Sequence, residues 1–160
     1  MNTRPKTIAA IAVATIAAGG VALTGCGSSE IDTSAAQEWI GQMGDIATDA
    51  ADDLTALTEC PTTSVAAFNK CMADGSYDLY MISARYENAS DEGMKLPMPE
   101  PCKAFAQQTA RIGERFADLA LYAEKGIDAA ADSATAANKV TSETETGTDL
   151  ITKCGEALMA

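Results

Sequence analysis

The chain has 160 residues, with 11 Lys and Arg against 23 Asp and Glu and no histidine, so its formal net charge is −12. A surface of this sign repels nucleic acid and anionic headgroups, and the lack of histidine excludes Ser-His-Asp and Cys-His catalysis and histidine-bound zinc. Only carboxylate pairs remain for catalysis, and no such pair stands out, so the sequence favours a non-enzymatic protein without a cofactor.

The N-terminal segment has a basic start and an apolar body. Arg4 and Lys6 precede an uncharged run of 16 residues from Ile8 to Leu23, and Leu23-Thr24-Gly25-Cys26 follows. This order is typical of a secretory signal peptide. The run is shorter than the ~18 residues that a membrane-spanning helix needs. An uncleaved anchor and an ordinary secretory signal are the alternatives.

The motif Leu23-Thr24-Gly25-Cys26 resembles a lipobox, so the N-terminus is similar to those of bacterial lipoprotein precursors. The resemblance implies that residues 1–25 are removed, that Cys26 receives a diacylglyceryl group, and that the new N-terminus is open to acylation with palmitate. It also implies a lipid-anchored protein on the extracytoplasmic face of the cell membrane. Removing residues 1–25 takes away two cations and no acid, so the remaining 135 residues carry a net charge of −14.

The remaining chain is long enough for one domain and too short for two. Residues 26–33 are predicted to be the lipidated cysteine and a short polar tether. The seven residues 27–33, which are polar apart from Ile31, reach ~23 Å at ~3.3 Å per residue. Residues 34–160 form the predicted domain, which abundant Ala and few β-branched runs assign to the all-α class. No family resemblance covers this part.

The first helix is predicted from Ser34, which forms a capping box with Gln37, to the residues before Pro61. Apolar residues recur along it at steps of three and four: Ala36, Trp39, Met43, Ile46, Ala50, Leu54 and Leu57. This spacing places them on one face of an amphipathic helix. Four acids lie off that face: Asp45, Asp49, Asp52 and Asp53. A solvated face explains them better than a calcium site, because a helix spreads carboxylates apart.

A second helix follows Thr63 or Ser64 as its cap. Apolar residues and one glycine at helical spacing predict its inner face: Val65, Phe68, Met72, Gly75, Leu79, Ile82, Tyr86 and Ala89. Asp74-Gly75-Ser76 is also a turn sequence. Because the apolar pattern stays in phase across it, one long helix with Gly75 on the inner face is favoured over two helices.

Three prolines mark residues 93–101 as extended. Met94, Leu96 and Met98 alternate there, which makes them a candidate partner-facing loop, because flexible methionines suit such surfaces. The same side chains could instead cover the end of the core, and this interpretation is favoured over the partner-facing loop. A Cu(I) site is disfavoured, since two methionines without histidine or a third sulfur make a poor ligand set.

A third helix begins near Pro101 and keeps helical spacing to Ile127, with a thin Ala-rich continuation to about Asn138. Residues 140–149 lack an apolar anchor between Val140 and Leu150, so part of this stretch is predicted as loop. A last helix packs Leu150, Ile151, Cys154, Ala157 and Leu158.

An antiparallel bundle of three to four helices limits which cysteines can meet. A second helix of about 26 residues is ~39 Å long, whereas bridged Cα atoms lie within ~7 Å. The pairs Cys60–Cys71 and Cys102–Cys154 then satisfy the topology. An even set of four in an exported chain favours disulfides over free thiols, and the lack of a C-x-x-C pair disfavours a Cys₄ zinc site.

Together these features predict a membrane-anchored lipoprotein that acts as a non-enzymatic binding or structural module, with a protein partner close to the bilayer and no nucleic acid. A phage-type exclusion or immunity lipoprotein is one form of this role. A lipid or small-ligand carrier is the alternative, with a cavity between the helices lined by aromatic residues: Trp39, Phe68, Tyr77, Tyr80, Tyr86 and Phe105.

Overall fold

The computed structural model describes residues 33–160, and the predicted signal peptide, the predicted lipobox and nearly all of the predicted tether lie outside them. Within this range four long helices form and no strand does. They are α1 (Thr33–Thr58), α2 (Val65–Lys95), α3 (Glu100–Glu124) and α4 (Ala130–Met159), with a 3-10 turn at Gly126–Ala129 before α4. The predicted all-α, disulfide-stapled helical bundle is confirmed.

Successive helices run in opposite directions. The indole Nε1 of Trp39, near the start of α1, donates to the carbonyl of Ala89 near the end of α2 (2.7 Å). The hydroxyl of Ser90 in turn donates to the carbonyl of Ala106 near the start of α3 (2.6 Å). Each helix therefore packs chiefly on its neighbours in the chain, α1 on α2, α2 on α3 and α3 on α4.

The core is built from the apolar stripe that each helix turns inward. All seven residues predicted for the inner face of α1 are buried. The ring of Trp39 meets that of Phe105 edge-on at a centroid distance of 5.5 Å, and the rings of Tyr86 and Phe116 stack 5.6 Å apart. These contacts join α1, α2 and α3 through large side chains, which contribute the most apolar burial per residue.

Helix α2 passes through Asp74-Gly75-Ser76 without a break, as predicted. Ser64 is its N-cap, and the side-chain oxygen accepts a hydrogen bond from the amide of Ala67 (3.1 Å). A Cβ at Gly75 would lie 2.6 Å from Cδ2 of Leu57, so glycine lets α1 approach here. The predicted inner face is wrong at one residue, because Val65 in the first turn is 57% exposed.

The end of α2 corrects the predicted extended segment. Residues 93–95 are helical, and α2 ends only at Lys95. The restriction that proline places on backbone geometry reaches just one residue back, and Leu96, which precedes Pro97, has the extended ψ of 145°. The irregular connection is therefore much shorter than the proline count suggests.

The boundary between the last two helices is a second correction. α3 ends at Glu124 rather than continuing towards Asn138, because Gly126 adopts a φ of +61° that breaks the helix. The side-chain oxygen of Asn69 accepts a hydrogen bond from the amide of Ile127 (2.9 Å) and fixes the turn against α2.

Residues 140–149, predicted to be partly loop, lie inside α4. Small residues let this helix pack closely without bulky anchors: a Cβ at Gly147 would lie only 3.2 Å from Cδ1 of Ile112. The side-chain amide of Gln108 also donates to a carboxylate oxygen of Glu143 (2.7 Å). The missing apolar anchors therefore reflect close packing rather than a loop.

Two glycines give opposite predictions for the same substitution. A Cβ at Gly93 would lie 2.6 Å from the indole of Trp39, whereas a Cβ at Gly41 would meet nothing within 4 Å. We expect Gly93→Ala to lower the free energy of unfolding by about 1–3 kcal/mol through overpacking. Gly41→Ala is expected to raise it by roughly 0.5–1 kcal/mol, since alanine favours a helix. Denaturant titrations that give both variants the same sign would contradict this packing.

Candidate functional site

Two disulfides fasten opposite ends of the bundle. Cys60 and Cys71 join the end of α1 to α2 with a Cα separation of 5.7 Å. Cys102 and Cys154 join the start of α3 to the end of α4, with Cα atoms 4.5 Å apart. These are the two pairs that the antiparallel arrangement predicts. Of the five cysteines in the sequence, they leave only Cys26 outside a disulfide.

The predicted lipidation site lies outside the described residues, but the point where the chain enters the bundle is defined. Helix α1 begins at Thr33, one residue before the predicted domain start at Ser34. Residues 27–32 then separate Cys26 from the helix, and six residues extend at most ~20 Å. Because α1 and α3 run in the same direction, Thr33 lies at the Cys102–Cys154 end of the bundle.

The candidate partner loop does not form one exposed surface. Met94 lies in the last turn of α2 and is 40% exposed, whereas Met98 is only 6% exposed and belongs to the core. Leu96 is half-buried and packs against the same core. Two of the three side chains therefore serve as core cover, and only Met94 faces solvent.

Two tyrosines that the carrier alternative places in a cavity lining lie instead in an exposed apolar strip on α2. Tyr77 is 66% exposed and Tyr80 is 39% exposed, so neither faces a space between the helices. Met81, one turn beyond Tyr77, is 49% exposed. The alanines at 73 and 84 extend the exposed strip at both ends. This strip, Ala73, Tyr77, Tyr80, Met81 and Ala84, is called the tyrosine face below.

An acidic ridge runs beside the tyrosine face where α1 meets α2. Burial raises the pKa of Asp53, and the negative charges of Asp78, Asp49 and Asp52 raise it further, while Arg85 lowers it. The guanidinium of Arg85 pairs with Asp49 across the two helices (2.6 Å). One cation therefore faces four carboxylates, and the ridge stays negative overall.

The raised pKa of Asp53 has a defined consequence for stability. The folded state binds more protons than the unfolded state just above the ordinary Asp pKa of 3.8, so stability falls as pH rises through that range. We therefore expect Asp53→Asn to raise Tm at neutral pH, and we expect this gain to disappear at about pH 3. Glu145→Gln, at an exposed carboxylate of α4 outside every ion pair, is the control. A gain that persists at acidic pH would contradict the account.

Two spaces lie in and beside the described bundle. An apolar cavity of about 40 Å³ lies near the Cys60–Cys71 end, lined by residues that include Leu57, Phe68, Met72 and Leu119. This is well below the roughly 150 Å³ of an engineered cavity that holds benzene. A shallow polar groove of about 280 Å³ lies between α1 and α2 beside Arg85. Neither space has the size and apolar lining that an acyl chain needs.

Two further features of residues 33–160 bear on chemistry. Their acidic and cysteine side chains do not gather into a group of three that would hold a metal ion. None of the described helices is both long and apolar enough to cross a bilayer.

Comparisons with protein-family models, curated proteins and solved structures find no match for the chain.

Proposed function

We propose that the chain is a lipid-anchored, non-enzymatic binding module on the extracytoplasmic face of a bacterial membrane. The observation that carries the proposal is the use of its cysteines. Four of the five pair with one another in the bundle, and the fifth is the last residue of Leu23-Thr24-Gly25-Cys26. Stable disulfides are typical of exported proteins, and the remaining cysteine stands where a lipobox places the lipidated residue.

The point of chain entry supports action close to the membrane. The six residues between Cys26 and Thr33, at most ~20 Å long, keep the Cys102–Cys154 end near the bilayer. The 26 residues of α1 then extend about 39 Å away from it. Most of the domain's side surface is therefore open to proteins that lie on or project from the same membrane. A negative net charge disfavours its lying flat on anionic headgroups.

Binding at the surface fits the packing better than carriage of a ligand inside. The core between the helices is occupied by aromatic side chains, and the cavity of about 40 Å³ leaves little room. The largest solvent-facing aromatic side chains of α2, Tyr77 and Tyr80, lie on the outside. Exposed contiguous apolar side chains are a common mark of a protein interface.

Detergent partition of the wild type beside Cys26→Ala tests the anchor. Both proteins are expressed in a bacterium that processes lipoproteins, and cell extracts are separated into detergent and aqueous phases. We expect the wild type in the detergent phase and the variant in the aqueous phase. Ser28→Ala, in the tether, is the matched control and should behave as wild type. Equal partition of wild type and Cys26→Ala would sink the proposal.

A further inference from the structure

The tyrosine face is an unpartnered apolar strip on an otherwise polar surface. Tyr77 and Met81 lie one turn apart on α2, with Tyr80 beside them. Within residues 33–160, no hydrogen bond, ring contact or ion pair involves any of these three side chains. Their exposure therefore contributes little to folding, whereas desolvation of tyrosine and methionine contributes strongly at protein interfaces.

The opposite side of α2 explains why the strip is not needed for the core. Leu79, Ile82 and Tyr86 are each at most 2% exposed and face α1 and α3. Residues 77 and 81 each project about 160° from Leu79 if each residue advances by 100°. The helix is thus apolar on two sides, and only one of them is covered by the bundle.

The charges around the strip indicate the kind of partner. Among the described residues, Asp78, Glu87 and Asp91 are all exposed and none of them forms an ion pair. Two of the nearby cations are already engaged, Lys70 with Asp74 and Arg85 with Asp49, and Lys95, one turn beyond Asp91, is the single unpaired cation on this part of α2. The rim therefore presents unbalanced negative charge, continuous with the acidic ridge.

A second copy of the chain fits this rim poorly. Each copy carries a formal net charge of −12, and like charges facing one another across an interface oppose association. A surface with apolar side chains at its centre and Lys or Arg around them would instead satisfy both the strip and its rim. The strip from Ala73 to Ala84 is ~17 Å long, which is about three helical turns.

We propose that the tyrosine face docks a basic amphipathic helix of a protein partner, with apolar side chains on Tyr77, Tyr80 and Met81 and cations towards Asp78, Glu87 and Asp91. Such helices bind through anchors spaced three and four residues apart. The inference rests on the proposed binding role of the domain and does not depend on the lipid anchor.

A defined peptide probe tests this docking. The probe is an amphipathic helix of about 15 Leu and Lys residues with a photoreactive group on its apolar side, added to the full chain in zwitterionic nanodiscs. Mass spectrometry then maps the cross-links on the protein. We expect saturable cross-links to residues 73–84, weakened about tenfold by Tyr77→Ser combined with Met81→Ser. Ile127→Ser combined with Met159→Ser, at side chains of similar exposure elsewhere, is the control and should leave labelling unchanged.

Two further peptides separate the contribution of the peptide's charge from that of its amphipathic pattern. A peptide with Glu in place of Lys should not label the strip, and a scrambled peptide of equal charge should label it about tenfold less. Equal labelling by the scrambled peptide, or no effect of the Tyr77 and Met81 substitutions, overturns the proposal. So does a dimer in sedimentation equilibrium that these substitutions dissociate, because a second copy is then the occupant. If Cys26→Ala releases the protein from membranes and docking fails, the anchor stands and only this inference falls.

Discussion

Replacing Cys102 and Cys154 together with alanine is expected to lower the free energy of unfolding by about 4 kcal/mol. The bond closes a loop of 52 residues and holds the end of α4 against the start of α3. Its loss frees the unfolded chain and loosens the terminal helix, which lacks bulky anchors along residues 140–149. Denaturant titration without reductant, followed by circular dichroism, measures the change.

The other disulfide provides the matched control. Cys60 and Cys71 are 11 residues apart, and in the chain-entropy model the shorter loop contributes about 3 kcal/mol. Cys60→Ala with Cys71→Ala should therefore cost less than the first pair of substitutions. A larger loss for the Cys60–Cys71 variant would contradict the importance assigned to the α3–α4 staple.

Trp39→Ala is expected to cost a further large amount, about 3–5 kcal/mol, because it empties the junction of α1, α2 and α3. The indole is 2% exposed, contacts Phe105 edge-on and donates a hydrogen bond to the carbonyl of Ala89. Removing the ring leaves a cavity and also removes the hydrogen bond from the indole to the carbonyl of Ala89. Thermal and denaturant unfolding followed by circular dichroism measure the loss.

Trp39→Phe separates packing from the hydrogen bond. Phenylalanine keeps most of the apolar volume but cannot donate to Ala89, so this variant should lose less than the alanine variant. The loss of this one hydrogen bond costs roughly 0.5–1.5 kcal/mol. If Trp39→Ala were no more destabilising than a typical surface substitution, the packing of α1 on the bundle would be contradicted.

The sequence predicts elements best where large apolar side chains recur at helical spacing. The stripe from Ala36 to Leu57 marks α1 and its buried face because Trp, Met, Ile and Leu contrast with the acids beside them. The same contrast carries α2 across Gly75. Antiparallel helices with known lengths then leave only end-to-end cysteine pairs close enough to bond.

The sequence-based predictions fail where small residues form the contacts between helices. Around Gly147 the helices approach so closely that no large side chain fits, and apolar periodicity fades although the helix continues. The sequence around Gly126 is Ala-rich and does not indicate that this glycine ends a helix. Its left-handed backbone and the hydrogen bond from the next residue to Asn69 are visible only in the structure. Long-range contacts of this kind leave no local signal.

The tyrosine face is not predicted from the sequence, which leaves Tyr77 and Tyr80 off the inner face of α2 and places them only in the cavity lining of the carrier alternative. A signal was present: Tyr77 and Met81 fall out of phase with Leu79 and Ile82 on the same helix, so both pairs cannot face one core. The sequence assigns Leu79 and Ile82 to the inner face of α2, but whether another helix covers Tyr77 and Met81 depends on where α1 and α3 lie. That arrangement is set by contacts such as Trp39 with Phe105, which are remote in sequence.

The intact mass of the protein recovered from bacterial membranes tests the proposed lipid-anchored module most directly. The account predicts a polypeptide that begins at Cys26, with the mass of residues 26–160 plus a diacylglyceryl group and, where further acylation occurs, an additional acyl chain. Its mass should also be lower by two hydrogens for each of the two disulfides. An unmodified polypeptide, whether the full chain or one cut elsewhere, would contradict it.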